Sequence, residues 1–184
     1  MSQAMAPLAE AAAWSLADAF PAAFESEQSY LCHSLRRLGV PPAHVEDVAQ
    51  EVFLKAFQCF GSYDPARPLR PWLFGIAVRI AANFRRQASL KYEEAGELPD
   101  VATDGRTPEE EVAAQRARQL LMRVLEPLDE DKRAVFVLHE IDGLSIPEAA
   151  EVLGVPVNTA YTRLRAARHR FAEELRRVQG GGAT

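Results

Sequence analysis

Cysteine is nearly absent from the chain, which has only Cys32 and Cys59, and neither lies in a CxxC pair. Two thiols are too few for a disulfide framework, so both are predicted to be buried and reduced. No apolar run approaches the roughly 18–20 residues that cross a bilayer. The alanine-rich start of the chain has no basic segment before it, so no secretory signal is expected. These absences predict a cytoplasmic protein without direct membrane insertion.

The residue groupings of an enzyme or a metal centre are missing too. The four histidines form neither an HExxH motif nor a cluster with cysteine; they are His33, His44, His139 and His169. The sequence has no glycine-rich phosphate loop, no Ser/His/Asp grouping and no paired-carboxylate cleft. We therefore expect no catalytic residue, no metal and no cofactor.

Charge is distributed unevenly along the chain, although the net value is only −5. From Pro65 to Lys91 there are six basic residues and no acidic ones, whereas from Tyr92 to Glu111 there are eight acidic residues and one basic residue. Near the C-terminus four arginines precede the next acid; they are Arg163, Arg165, Arg168 and Arg170. Two basic surfaces separated by an acidic connector favour binding to nucleic acid.

Apolar residues recur at helical rather than strand spacing over most of the chain, which predicts an all-α fold. One broad stripe runs from Val45 to Phe57 on a helix with a polar opposite face. A loop rich in turn formers follows at residues 61–71, and another helix begins near Trp72. Trp72 is predicted to be a core residue, rather than a surface for stacking bases, because it starts the buried stripe of that helix.

The composition predicts two small helical domains, at residues 1–91 and 112–179. A flexible acidic linker at residues 92–111 would join them, and residues 180–184 would form a disordered tail. The helices expected in the second domain are approximately Glu110–Glu126, Asp129–Ile141, Ser145–Leu153 and Val157–Arg177.

Residues 145–163 have the pattern of a helix, a short turn and a second helix, which can place a reading helix in a DNA groove. Ser145 and Glu148 can form a capping box at the start of the first helix. Gly154 supplies the backbone freedom to end that helix, and Pro156 prevents it from continuing. The pattern alone indicates contact with DNA and is shared by many regulators.

Two motifs in a fixed order make the interpretation more specific. The first comprises residues 46–57 (EDVAQEVFLKAF) followed by residues 70–77 (RPWLFGIA), and the second comprises residues 128–145 running into the helix-turn-helix. Together, from about Phe20 to Arg177, they resemble a bacterial RNA polymerase sigma factor of the extracytoplasmic-function type. The resemblance implies a region 2 helical bundle, a region 4 helix-turn-helix domain and a role in promoter recognition and opening.

The resemblance also assigns surfaces of the first domain. Core polymerase, through its β′ clamp, would contact the helix that holds Asp47, Gln50, Glu51 and Phe53. The −10 element would meet Lys55, Tyr63, Arg79 and Asn83. Two other interpretations of the carboxylates on this helix are a solvated surface and a metal site, and the metal site lacks a histidine ligand. Arg79 departs from the Asn that is common in relatives, which leaves the preferred base open.

In the second domain the resemblance assigns the −35 element to Asn158, Thr159, Tyr161, Thr162, Arg163, Arg165 and Arg168. Arg165 could read guanine through two hydrogen bonds, whereas Arg163 and Arg168 could equally bind phosphates. Tyr161 replaces the usual Lys or Arg and could contact a thymine methyl group. A solvated basic helix without a DNA role is the alternative.

The expected partners are core RNA polymerase (β′ clamp and β flap), promoter DNA and an anti-sigma factor that would cover the polymerase-binding faces. One rival function is that of a helix-turn-helix regulator without a sigma role. Another is that of an adaptor that mimics a sigma factor without starting transcription. The first domain is the feature that favours the sigma role, because a repressor needs neither the clamp-binding helix nor the Trp72 helix.

Overall fold

The computed structural model describes residues 24–89 and 108–180, and every regular element in these ranges is helical, as the sequence predicts. The N-terminal part comprises α1 (24–37), α2 (Val45–Cys59) and α3 (Leu69–Ser89), with 3-10 turns at Pro42–His44 and Phe60–Ser62. The C-terminal part comprises α4 (Pro108–Leu125), α5 (Glu130–Phe136), α6 (Ile146–Leu153) and α7 (Val157–Gly180), and a π turn at Val137–Ile141 continues α5.

The three N-terminal helices bury the stripes that their sequences carry. α1 contributes Leu31 and Leu35, and α2 and α3 pack against each other. The buried residues of α2 recur every three or four positions; they are Val45, Val48, Ala49, Val52, Phe53 and Ala56. Gly39 has a φ of +88°, and a Cβ there would collide with the guanidinium of Arg133 from α5. Only glycine therefore fits this turn after α1.

The helix-turn-helix is formed by α6 and α7. The Ser145 backbone N–H donates to the Glu148 carboxylate over 2.8 Å, and the Glu148 N–H donates to the Ser145 hydroxyl over 3.4 Å. The predicted capping box is thus confirmed. Gly154 ends α6 in the left-handed region with a φ of +67°, also as predicted. Ala149 and Ala160 are fully buried, so that α6 and α7 approach closely.

Helix ends differ slightly from the predicted domain limits. α4 begins at Pro108, so residues 108–111 of the predicted linker are helical, and α7 continues to Gly180, the first residue of the predicted tail. Residues 92–107 and 181–184 lie outside the described residues, as does the chain before residue 24. Among the described helices none is long and apolar enough to span a membrane.

The two helical parts pack directly against each other, which the sequence did not predict. α3 of the first part lies against α6 of the second, and one continuous apolar core includes residues from both. The approach is close because Gly75 has no side chain: a Cβ there would be 3.1 Å from the Val152 carbonyl oxygen. A glycine at a helix contact permits this separation.

Candidate nucleic-acid interface

The first turns of α7 carry most of the residues predicted to read the −35 element. Asn158, Tyr161, Thr162 and Arg165 are exposed, and the Tyr161 side chain is 55% exposed despite its large ring. Thr159 is partly buried. The exposed residues stand out because the opposite stripe of α7 is buried against α5 and α6.

An open groove of about 620 Å³ lies between these residues and the start of α6. Its lining includes Tyr161, Thr162, Arg165 and Arg168 from α7, and Ser145 from α6. His139 also lines the groove, and its Nδ1 lies 2.7 Å from the Leu144 carbonyl oxygen. The structure therefore brings four of the seven predicted residues together around one open groove.

The three arginines in this part of α7 differ in their partners. Arg163 pairs with Asp131 of α5 and lines a separate groove with Arg85 and Lys132. Arg168 Nε donates to a Glu140 carboxylate oxygen over 2.6 Å. Arg165 is exposed and lines the groove beside Tyr161. Asn158, Thr159 and Arg163 do not line this groove, and Arg163 lies on the side of α7 that faces α5.

The predicted −10 surface is formed by the loop after α2 and the exposed side of α3. Tyr63 stacks against Phe60 with ring centroids 5.5 Å apart and lies 5.1 Å from the Trp72 ring. Its hydroxyl donates to the Arg67 carbonyl oxygen over 2.6 Å. Trp72 is partly buried within this aromatic cluster. Tyr63 therefore orders the loop as well as presenting part of its ring to solvent.

Arg79 and Asn83 are exposed and one turn apart on α3. The Asn83 side-chain oxygen accepts a hydrogen bond from Arg86. Lys55 is exposed at the C-terminal end of α2. The four predicted −10 residues are therefore accessible, with Tyr63 partly covered by its aromatic neighbours.

The predicted polymerase-binding face of α2 needs one correction. Asp47, Gln50 and Glu51 are exposed, but Phe53 is only 4% exposed and packs against the Phe24 ring. Phe53 therefore belongs to the core and does not lie on the exposed face, because its position in the helix points toward α1.

Sequence reasoning missed two exposed apolar side chains on the same face. Leu54 is 60% exposed and Phe57 is 53% exposed. They follow Gln50 and Glu51 by one and two turns, so the acidic face of α2 continues into an apolar end. Helical spacing could have separated Leu54 from the buried stripe. It could not have separated Phe57, which lies only about 40° around the helix axis from the buried Phe53.

A polar network joins the two parts of the molecule. The Tyr30 hydroxyl of α1 donates to Asp142 over 2.7 Å, and Arg37 lies 3.7 Å from the other oxygen of the same carboxylate. Burial raises the pKa of Asp142 above its ordinary value of 3.8, although Tyr30 and Arg37 act in the opposite direction. Burial and the bond to Asp142 raise the pKa of Tyr30.

Arg85 and Arg133 lie at another place where the two parts meet. Arg85 of α3 lies 3.7 Å from Glu130, and burial together with Arg85 lowers the pKa of Arg133 to about 10. Arg133 is held by the carbonyl oxygens of Glu126 and Leu128, at 2.6 and 3.0 Å. Among residues 24–89 and 108–180 no group of His, Cys, Asp and Glu side chains is arranged to hold a metal ion.

Known proteins resemble this chain over both helical parts. The family models for sigma-70 region 2 and sigma-70 region 4 match residues 23–90 and 118–171. RNA polymerase sigma factor CnrH of Cupriavidus metallidurans is 37% identical over 153 residues, which cover 79% of this chain and 80% of CnrH. The ECF RNA polymerase sigma-E factor of Escherichia coli K12 is 34% identical over 142 residues, which cover 70% of this chain and 72% of that factor.

A solved structure of CnrH in complex with the cytosolic domain of CnrY is similar in fold. The TM-score is 0.63 at 30% identity, and the match covers 90% of this chain and 93% of the CnrH chain. The resemblance therefore extends over the helical bundle and the helix-turn-helix in a single chain.

Proposed function

The chain belongs to the extracytoplasmic-function sigma factors of bacterial RNA polymerase, and from that premise we propose which of its surfaces performs each step of initiation. A sigma factor joins core polymerase and recognises the −35 and −10 promoter elements. It then promotes opening of the duplex, while the polymerase performs the chemistry. The observation that carries this function is the order of region 2 and region 4 in one chain. We place the protein in the cytoplasm, where promoter and polymerase are.

The α2 face that begins at Asp47 is the proposed contact with the β′ clamp. Gln50 and Glu51 offer acceptors to a basic partner surface, which favours orientation and rapid association. Leu54 and Phe57 supply the apolar anchors on which interface affinity usually depends. Phe53 acts indirectly by holding α2 against α1. The β flap would meet the C-terminal domain.

The −10 element would be opened on the surface formed by Tyr63, Arg79, Asn83 and Lys55. Unpaired bases stack on aromatic rings, and cations hold the backbone of a single strand. The −35 element would lie in the groove beside α7. There Arg165 can pair with guanine, while Tyr161 and Thr162 contact neighbouring base edges. Arg163 and Arg168, which already have carboxylate partners, are better placed for phosphates.

Control by a protein partner follows from the similarity to CnrH, which is bound to the cytosolic domain of CnrY in its solved structure. We propose that an anti-sigma factor binds this chain in a comparable way and covers its polymerase-binding faces. The exposed Leu54 and Phe57 on α2 are apolar surface that such a partner would bury.

An abortive-initiation assay with core polymerase and a pool of genomic promoter fragments tests the function. The purified chain should add promoter-dependent synthesis that core polymerase alone does not give. A helix-turn-helix regulator would bind DNA without adding synthesis, and an adaptor would bind core polymerase without adding it. Either result would overturn the sigma role.

A further inference from the structure

The C-terminal domain lies against α3 beside the proposed −10 surface in the free protein. α6 crosses α3 at Gly75, where a Cβ would lie 3.1 Å from the Val152 carbonyl oxygen. Gly75, Arg79 and Asn83 follow one another at intervals of four residues, so they share one side of α3. The first helix of the helix-turn-helix therefore rests one turn from Arg79, on the side where unpaired bases would bind.

An acidic side chain of α6 also pairs with an arginine in the loop between α2 and α3, next to the proposed −10 surface. Arg67 Nη1 donates to a carboxylate oxygen of Glu151, and both side chains are 61% exposed. A guanidinium binds phosphate oxygens with the same geometry that it uses for a carboxylate. Glu151 therefore holds the position that a DNA phosphate would take.

Contacts within the loop hold Arg67 next to Tyr63, which supports a role for Arg67 in binding DNA. The Arg67 carbonyl accepts from the Tyr63 hydroxyl over 2.6 Å, and Asp64 lies 3.8 Å from the Arg67 Nε. Arg70, the next arginine, differs because it pairs with Glu27 of α1 over 2.7 Å, within its own domain. Separating the two domains would thus remove Glu151 from Arg67, whose remaining carboxylate neighbour is Asp64, and would leave Arg70 paired with Glu27.

We propose that Arg67 contacts the DNA backbone beside the −10 element and that Glu151 masks it in the free protein. This inference rests on the proposed function, because it takes the −10 surface from it. Exposed ion pairs are weak and screened by salt, so a DNA phosphate can replace Glu151 once α6 leaves α3. The free chain binds DNA poorly until that separation occurs.

Titration of the free full-length chain with a labelled single-stranded DNA pool of random sequence tests the masking. Glu151→Gln removes the charge and keeps the size, and it should tighten binding about two- to fivefold, the range of an exposed ion pair. Glu173→Gln is the matched control, because Glu173 pairs with Arg170 inside α7. Equal effects of the two substitutions would overturn the masking.

Arg67→Gln tests the backbone contact in the same titration. It should weaken binding and reduce the slope of log K against log salt by about 0.7, the value for one phosphate on a single strand. In the Arg67→Gln background, Glu151→Gln should not tighten DNA binding, because the side chain that Glu151 masks is absent. An unchanged salt slope for Arg67→Gln would overturn the contact.

The abortive-initiation assay on the wild-type chain tests the sigma role independently of the masking of Arg67. Loss of promoter-dependent synthesis would refute the sigma role, while the free-chain titrations would still decide whether Glu151 masks Arg67. Both substituted side chains are exposed, so the variants should retain the wild-type circular dichroism spectrum and melting temperature.

Discussion

Phe53 and Phe57 lie one turn apart on α2, and the structure predicts opposite consequences for replacing them with alanine. Phe53 is 4% exposed and packs on Phe24, whereas Phe57 is 53% exposed. Phe53→Ala should cost about 3–5 kcal/mol of unfolding free energy, the range for a buried phenylalanine. That corresponds to a fall in melting temperature of about 6–20 °C for a chain of this size. Phe57→Ala removes a ring of which only about half is buried, and it should lower the free energy of unfolding by about 1 kcal/mol.

Affinity for core polymerase should show the reverse order. As an exposed apolar anchor, Phe57 should contribute about 2 kcal/mol or more, so Phe57→Ala should raise the Kd about 30-fold. Phe53→Ala, measured below its melting temperature, should change the Kd far less. Thermal melts and a fluorescence titration with core polymerase give both quantities. A stable Phe53→Ala variant that loses polymerase binding would refute the assigned orientation of α2.

Three further predictions concern the interface between the domains and the reading of DNA. Burial raises the pKa of Asp142, so this group stabilises the packed form at low pH, and the contribution is lost as pH rises from about 3.8 through the raised value. Urea denaturation at stepped pH should show this loss in the wild type and not in Asp142→Asn, and equal profiles would contradict it. Gly75→Leu should separate α6 from α3 and increase the radius of gyration in X-ray scattering, because even a Cβ at this position would lie 3.1 Å from the Val152 carbonyl oxygen. The helix itself should tolerate the change, since Leu is a better helix former than Gly. An unchanged scattering profile would show that the domains do not pack through Gly75. Arg165→Ala should cost about 1–3 kcal/mol at one promoter position, whereas Arg163→Ala should weaken all sequences alike, and a binding assay with single-base promoter variants distinguishes the two patterns.

The helix-turn-helix could be predicted in detail because its signals are local. Ser145 and Glu148 are three residues apart and form the capping box within one turn. Gly154 adopts the left-handed conformation that its lack of a Cβ permits. No distant contact is needed for either feature, so the predicted α6 and its ends agree with the structure.

Side-chain orientation on α2 was less predictable. Phe53 and Phe57 differ by only about 40° around the helix axis, since each residue advances about 100°. A broad apolar stripe can therefore include both, and only the position of α1 decides which ring is buried. The same limit applies to Arg163, whose pairing with Asp131 depends on where α5 lies.

The all-α class, the cap and turn of the helix-turn-helix and the order of the two sigma motifs follow from neighbouring residues and helical periodicity, so they could be predicted without a structure. The packing of α6 on α3 and the pairing of Glu151 with Arg67 are known only from the folded chain. These partners lie 84 residues apart in the chain, and Tyr30 and Asp142 lie 112 apart. Contacts at such separation arise from how whole helices pack against each other, which local propensity and charge do not specify.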